Sequence, residues 1–464
     1  MFIGREKELA TLNKLYGEAT FQLFILYGRR RVGKTTLLKE FCRNKNAIFY
    51  SAEQSNTKNN LDKFSDIVFE HYNEKTLEPF ASWENALTYI DEKQNKERLI
   101  LVLDEFPYLA QNNPAMMSML QHLIDHRLQN GRLFIVLCGS YMGFMEKEVL
   151  GAKSPLFGRR TAQLHMKSFD YLTSSLFLQN YSNEEKIMFY GAFGGTAMYL
   201  NQINSSKPFK ENVINLFMTP TGYLFEEPRL LIKQELQETG VYSAIIEAIA
   251  LGASKANEIS TKTGEETAKC IKYINTLNEL GILYKEIPFG EKDTSRKTLY
   301  GISDLMFRFW YRYVSNNITL IETDASEIVW SRKIEGDYSN YMGYVFEKVC
   351  KEYLLRKNSR GDLPILFTNI GRWWGTDSKT KSQVEIDIVA QDGNDYLFGE
   401  CKWRNEKLDY NVLEQLRLKA NVFKAKRDNT YFALFSKSGF SDAVLNEAAK
   451  DESILLYSLG DLFA

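Results

Sequence analysis

Two groups of residues in this 464-residue chain have types and spacings that do chemistry. The first is Gly28, Arg29, Arg30, Arg31, Val32, Gly33, Lys34, Thr35 and Thr36, which matches G-x-x-x-x-G-K-[ST] in full. Glycines at both ends let the backbone curl, so that successive N–H groups and a helix N-terminus face a polyphosphate. Lys34 reaches the terminal phosphates and the Thr35 hydroxyl takes a place on Mg²⁺. The second group lies near the other terminus: Asp387 in VEIDIVA, then Glu400 and Lys402 in GECKW, preceded by Glu347. Strand side chains alternate, so Glu400 and Lys402 share a face, and a hairpin brings Asp387 beside them. Two carboxylates can hold a hard divalent ion that polarises a phosphodiester, with Lys402 orienting water and Glu347 completing the shell. A solvated cross-strand ion pair is the plainer reading of Glu400 and Lys402.

The first group has partners further along. Leu99–Leu103 is an unbroken apolar run, which reads as a strand buried on both faces and ends in Asp104 and Glu105. Carboxylates there sit where open α/β sheets bind ligands. Asp104 orients the Mg²⁺ through water, and Glu105 serves as general base for the hydrolytic water. The strand RLFIVLCGS ends at Ser140, which reads either as a sensor of the terminal phosphate or as a helix cap. Arg159 and Arg160, in PLFGRR, read either as fingers reaching a neighbouring subunit's nucleotide or as local ion-pair partners.

These residues need a scaffold, and the strand-and-helix alternation around them predicts an α/β nucleotide-binding domain. FIGREKEL, GRRRVGKTT, LVLDEF, LCGS and PLFGRR, in this order, resemble the AAA-type ATPases of archaea and bacteria related to origin-recognition ATPases. The similarity continues through YGAFGGTAMYL and LFEEPRLLIKQEL. It implies ATP and Mg²⁺ as cofactors, an adenine enclosed by Phe2 to Glu8, and a helical lid from about residue 169. No clear lid arginine for sensing nucleotide is present.

Beyond the lid, helical spacing in three blocks and a polar-tipped hairpin resemble a winged helix-turn-helix. Its expected recognition helix opens on Glu265 and Glu266 before Lys269 and Lys272, and the wing tip offers Lys292, Arg296 and Lys297. The aromatic run DLMFRFWYRYV recurs at helical spacing and reads as core. The C-terminal order of helix glutamate, strand, Asp387, hairpin and Glu-x-Lys resembles the PD-(D/E)XK nuclease superfamily, with Ile386 in place of the proline. The expected organisation is a P-loop ATPase core over 1–168, a lid over 169–230, a winged helix over 231–315, a linker over 316–340 and a nuclease-like α/β domain over 341–464.

Composition limits the partners. The formal net charge is -1, so any nucleic acid must be met by a local basic patch rather than a bulk field. DNA is the expected partner, with ATP-dependent self-association; a nucleotide-switched scaffold is the alternative. No stretch approaches a membrane span, and five scattered cysteines fit a reducing cytoplasm. His122 and His126 have a helical metal-pair spacing but lack a following glutamate and a third ligand, so they read as a surface pair.

Overall fold

Five strands in the N-terminal third form one parallel sheet: β1 (Gln22–Tyr27), β2 (Ala47–Ser51), β3 (Ile100–Asp104), β4 (Phe134–Gly139) and β5 (Ala162–His165). Their spatial order is β2-β3-β4-β1-β5, with every pairing parallel. All residues of β1, β3 and β4 are buried, as helices on both faces of a parallel sheet require. The computed structural model describes residues 2–74, 78–93, 98–292, 294–295 and 297–464. Within it the chain divides into Met1–Ser168 with Thr196–Met198, and Phe169–Gly195 with Tyr199–Ala464.

In the first unit, the helix Lys34–Cys42 packs Leu37, Leu38 and Phe41 into the cluster formed by Leu12, Phe24, Val102 and Phe134. Each of those three side chains is fully buried, which stabilises the helix by roughly 1.5–3 kcal/mol apiece. That burial fixes the start of the helix beneath the Gly28–Lys34 loop. The N-terminal segment is fastened to the same loop. Arg5 is buried and donates to the carbonyls of Val32 (3.2 Å) and Lys167 (2.6 Å), while pairing with Glu8 at 2.9 Å.

The second unit begins with the segment expected as a lid. Glu352, on the long helix Tyr338–Arg360, accepts the Tyr171 N–H and the Tyr190 hydroxyl, both at 3.0 Å, and pairs with Lys348 at 2.9 Å. Residues 169–195 thereby belong with the C-terminal half. Three helices follow, Thr239–Ala250, Ala256–Thr263 and Thr267–Glu279, then an antiparallel hairpin of β6 (Leu283–Glu286) and β7 (Leu299–Ile302). The aromatic run is the helix Leu305–Tyr313, and seven of its side chains are buried.

The segment expected as a linker, 316–340, contains helical turns. Residues 318–334 hold short helices, and Ile321, Val329, Trp330 and Ile334 are buried. Its polar letters concealed four apolar anchors, enough to pack the segment down.

The last module is a mixed sheet of β8 (Asn369–Thr376), β9 (Gln383–Asp392), β10 (Asp395–Lys402), β11 (Thr430–Ser436) and β12 (Ile454–Ser458), in the order β12-β11-β10-β9-β8. β8, β9 and β10 run antiparallel, whereas β10, β11 and β12 are parallel. Gly399 pairs with Ile388 in the β9–β10 register, which sets Glu400 beside Asp387. Among the described residues, no helix is long and apolar enough to cross a membrane.

Candidate nucleotide site and carboxylate pocket

The loop between β1 and the Lys34–Cys42 helix curls back over the sheet. Gly28 is required there: a Cβ would lie 2.3 Å from the Met166 carbonyl oxygen. Lys34 is buried and donates through Nζ to the carbonyls of Gly28 (2.7 Å) and Arg29 (2.9 Å). Burial pulls its pKa down, against the upward pull of Cys138, Glu105 and Asp104. Arg30 reaches the Tyr108 hydroxyl at 3.0 Å.

Thr35 Oγ1 donates to Asp104 Oδ2 at 2.9 Å, across the ends of the helix and β3. A hydroxyl and a buried carboxylate this close are hard oxygen donors of the kind Mg²⁺ prefers, so these residues fit that ion. Glu105 follows in left-handed backbone (φ 52) and caps the helix Phe106–Asn112. Its carboxylate accepts from Ser140 Oγ at 3.0 and 2.7 Å. The serine is therefore engaged with the candidate base, a contact that sequence spacing did not reveal because the two lie 35 residues apart.

Arg159 and Arg160 differ sharply. Arg159 forms a two-pronged pair with Asp125, both contacts at 2.7 Å, and also donates to the Pro155 and Phe157 carbonyls. Arg160 lies over the Phe157 ring at 5.7 Å, and its buried Nη1 has no acceptor among the described residues. The His122 and His126 rings lie 4.5 Å apart between centroids, tilted by 50°.

In the second unit the structure gathers Glu347, Asp387, Glu400 and Lys402 from three elements. The Cys401 N–H donates to Asp387 Oδ2 at 2.9 Å. Glu400, only 4% exposed, accepts from Lys402 (2.6 Å) and, through both oxygens, from Lys419 (2.9 and 2.8 Å). Lys419 lies on the helix Tyr410–Val422, where its spacing alone does not mark it as a partner of Glu400. Among the described residues no group of three or more His, Cys, Asp or Glu side chains is placed to hold a metal ion, and both Lys402 and Lys419 pair with Glu400. Burial raises the thiols of Cys350 and Cys401.

Burial, then the neighbouring Asp387 charge, pushes the Glu347 carboxyl up to about 8. Burial, then Glu400, raises Asp387 in the same direction. A carboxyl whose folded pKa exceeds its unfolded one holds a proton that the unfolded chain has released. The stability it lends is full below the ordinary carboxylate range and is lost as pH climbs towards 8. Glu347→Gln is therefore expected to gain about 2 kcal/mol over the parent chain at pH 8 and little at pH 5, read by urea unfolding at the two pH values. Equal gains at both would show that Glu347 is ionised in the folded chain.

The comparisons with known proteins agree with this geometry in part. Residues 2–203 match a family described as an ATPase domain predominantly from Archaea. Residues 310–415 match one described as archaeal and bacterial proteins of unknown function. Among solved structures, the Walker-type ATPase paby2304 of Pyrococcus abyssi aligns with a TM-score of 0.51 and 20% identity, covering 67% of this chain and 96% of that one. That likeness is one of fold: a P-loop α/β domain with a parallel sheet. The uncharacterized protein MJECL04 of Methanocaldococcus jannaschii is 32% identical over 410 residues, spanning 88% of each chain. At that identity and coverage the chain belongs to the family of the Methanocaldococcus protein, and it carries an archaeal-type ATPase domain followed by a domain of unknown function.

Proposed function

We propose that the protein is an ATP-hydrolysing switch whose second unit acts on nucleic acid, with DNA as the expected partner. The observation that carries the reading is the convergence of Lys34, Thr35, Asp104, Glu105 and Ser140 at one end of the parallel sheet. Mg²⁺ held by Thr35 and Asp104 would neutralise charge on the terminal phosphates. Lys34 would exchange its two loop carbonyls for phosphate oxygens. Glu105, released from Ser140, would take the proton of the attacking water.

Arg160 is the better candidate for a finger in trans, since Arg159 is already committed to Asp125. The nucleic-acid role rests on the three helices and hairpin, which we read as a winged helix. Two of its cations are internally paired, Lys269 with Glu265 and Lys297 with Glu291. Arg296 lies outside the described residues.

A second reading is favoured by the lysines on Glu400. It holds that the C-terminal module keeps the shape of a nuclease-like fold but binds without cutting. ATP turnover measured against protein concentration, with and without duplex DNA, tests the first reading. Turnover per subunit is expected to rise with concentration and with DNA, and Arg160→Ala should remove the concentration-dependent part. Turnover indifferent to DNA would defeat the nucleic-acid role. DNA cut by the parent protein in Mg²⁺ or Mn²⁺, but left intact by Asp387→Ala, would defeat the non-cutting reading.

A further inference from the structure

Within the second unit, a cavity of about 170 Å³ opens between the β6–β7 hairpin, the helix Leu305–Tyr313, the helix Tyr338–Arg360 and β8. Three arginines line it, and two of them are matched. Arg312 pairs with Asp337 at 2.6 Å, and Arg372 pairs with Glu385 and, at 3.6 Å, with Glu286. Arg308 is not matched. Its guanidinium lies 3.7 Å from the centroid of the Tyr344 ring, and its buried Nε has no acceptor among the described residues. A buried donor without a partner is costly, and in a native site it points to a missing acceptor.

The β6–β7 hairpin supplies a second donor. The Tyr344 hydroxyl donates to the Ile302 carbonyl at 2.9 Å, which leaves the Tyr284 hydroxyl only a 3.3 Å contact with Tyr344. Tyr284 lies where it does because residue 301 is glycine: a Cβ there would come within 2.4 Å of the tyrosine ring. Glu286 contributes an acceptor to the same space, and burial raises its carboxyl despite Arg372.

We propose that this cavity binds a single phosphate group, gripped by Arg308 and Tyr284 and read by Glu286. A carboxylate offers acceptors only, and Glu286 would repel it. A phosphate monoanion offers oxygens to the arginine and the tyrosine together with a P–OH donor for Glu286. The volume is below the roughly 300 Å³ at which drug-sized ligands begin, so any larger remainder of the molecule lies outside. Arginine stacked on an aromatic face is pre-organised for such a contact. The inference is independent of the ATPase reading and uses none of its residues.

The group could come from free phosphate or from the 5′ end of a nucleic acid strand. The experiment uses full-length Lys34→Ala protein, so that the nucleotide loop is silent, and titrates inorganic phosphate by calorimetry. Arg308→Met in that background is expected to weaken binding by about tenfold or more, as loss of a charge-assisted contact implies, with partial recovery in Arg308→Lys. Tyr284→Phe, which keeps the ring, should cost a smaller factor and decides the matter if Arg308→Met fails to fold. A 5′-phosphorylated oligonucleotide that outbinds its 5′-hydroxyl twin, with the advantage lost in Arg308→Met, identifies a strand end as the source. Indistinguishable oligonucleotides alongside saturable phosphate identify the free ion. Phosphate binding absent from the parent, or unchanged in both Arg308→Met and Tyr284→Phe, overturns the proposal.

Discussion

Glu105→Gln is expected to bind ATP as the parent protein does while turnover falls by about three orders of magnitude. A positioned general base contributes roughly 10²–10⁴-fold to such a reaction. The amide cannot accept the water's proton, yet it is nearly the same size and keeps a carbonyl oxygen for Ser140. Ser140 Oγ now spans both carboxylate oxygens, at 3.0 and 2.7 Å, and one of those contacts survives in the variant. Structure around the site should therefore hold, so binding and chemistry separate cleanly. Fluorescent-nucleotide affinity and phosphate release, measured on the same preparation, check this. Turnover that survives in Glu105→Gln would mean that another group activates the water.

How much of this could be read from letters depends on how local the determinant is. The Gly28–Thr36 loop, the buried β3 ending in Asp104, and the β9–β10 hairpin are all written within a few residues, as turn chemistry and hydrophobic runs. The structure contains each of them. What stayed hidden depends on long-range packing. Lys419 reaches Glu400 from a helix that follows the strand, and no periodicity on Tyr410–Val422 distinguishes it from Arg417 there. Residues 318–334 looked polar enough for a linker because four apolar anchors, spread over many residues, average away in composition. The Arg159 and Arg160 alternatives separate only once Asp125 is seen beside the first.

Lys34→Met is expected to lose ATP affinity by at least about a hundredfold while the fold remains as stable as the parent's, or more so. In the ligand-free chain the ammonium is buried and satisfied by two carbonyls, at 2.7 and 2.9 Å. Burial pulls its pKa below that of an ordinary lysine, so the folded chain carries a cost for keeping it charged. Methionine has nearly the same length, fills the same space and removes that cost. Affinity is another matter. The two carbonyl contacts are what the lysine gives up for phosphate oxygens, and charge-assisted hydrogen bonds contribute about 1.5–3 kcal/mol each. Two of them amount to roughly 10²–10⁴ in the binding constant, since 1.4 kcal/mol is a factor of ten. The measurement is thermal unfolding with and without nucleotide. At a ligand concentration one hundred times its Kd the parent should gain about 2.7 kcal/mol, and the variant almost nothing at the same concentration. Because methionine preserves packing, a variant that still gains the full increment would show that the charge on Lys34 does not hold the phosphates. The loop would then bind through its backbone N–H groups alone.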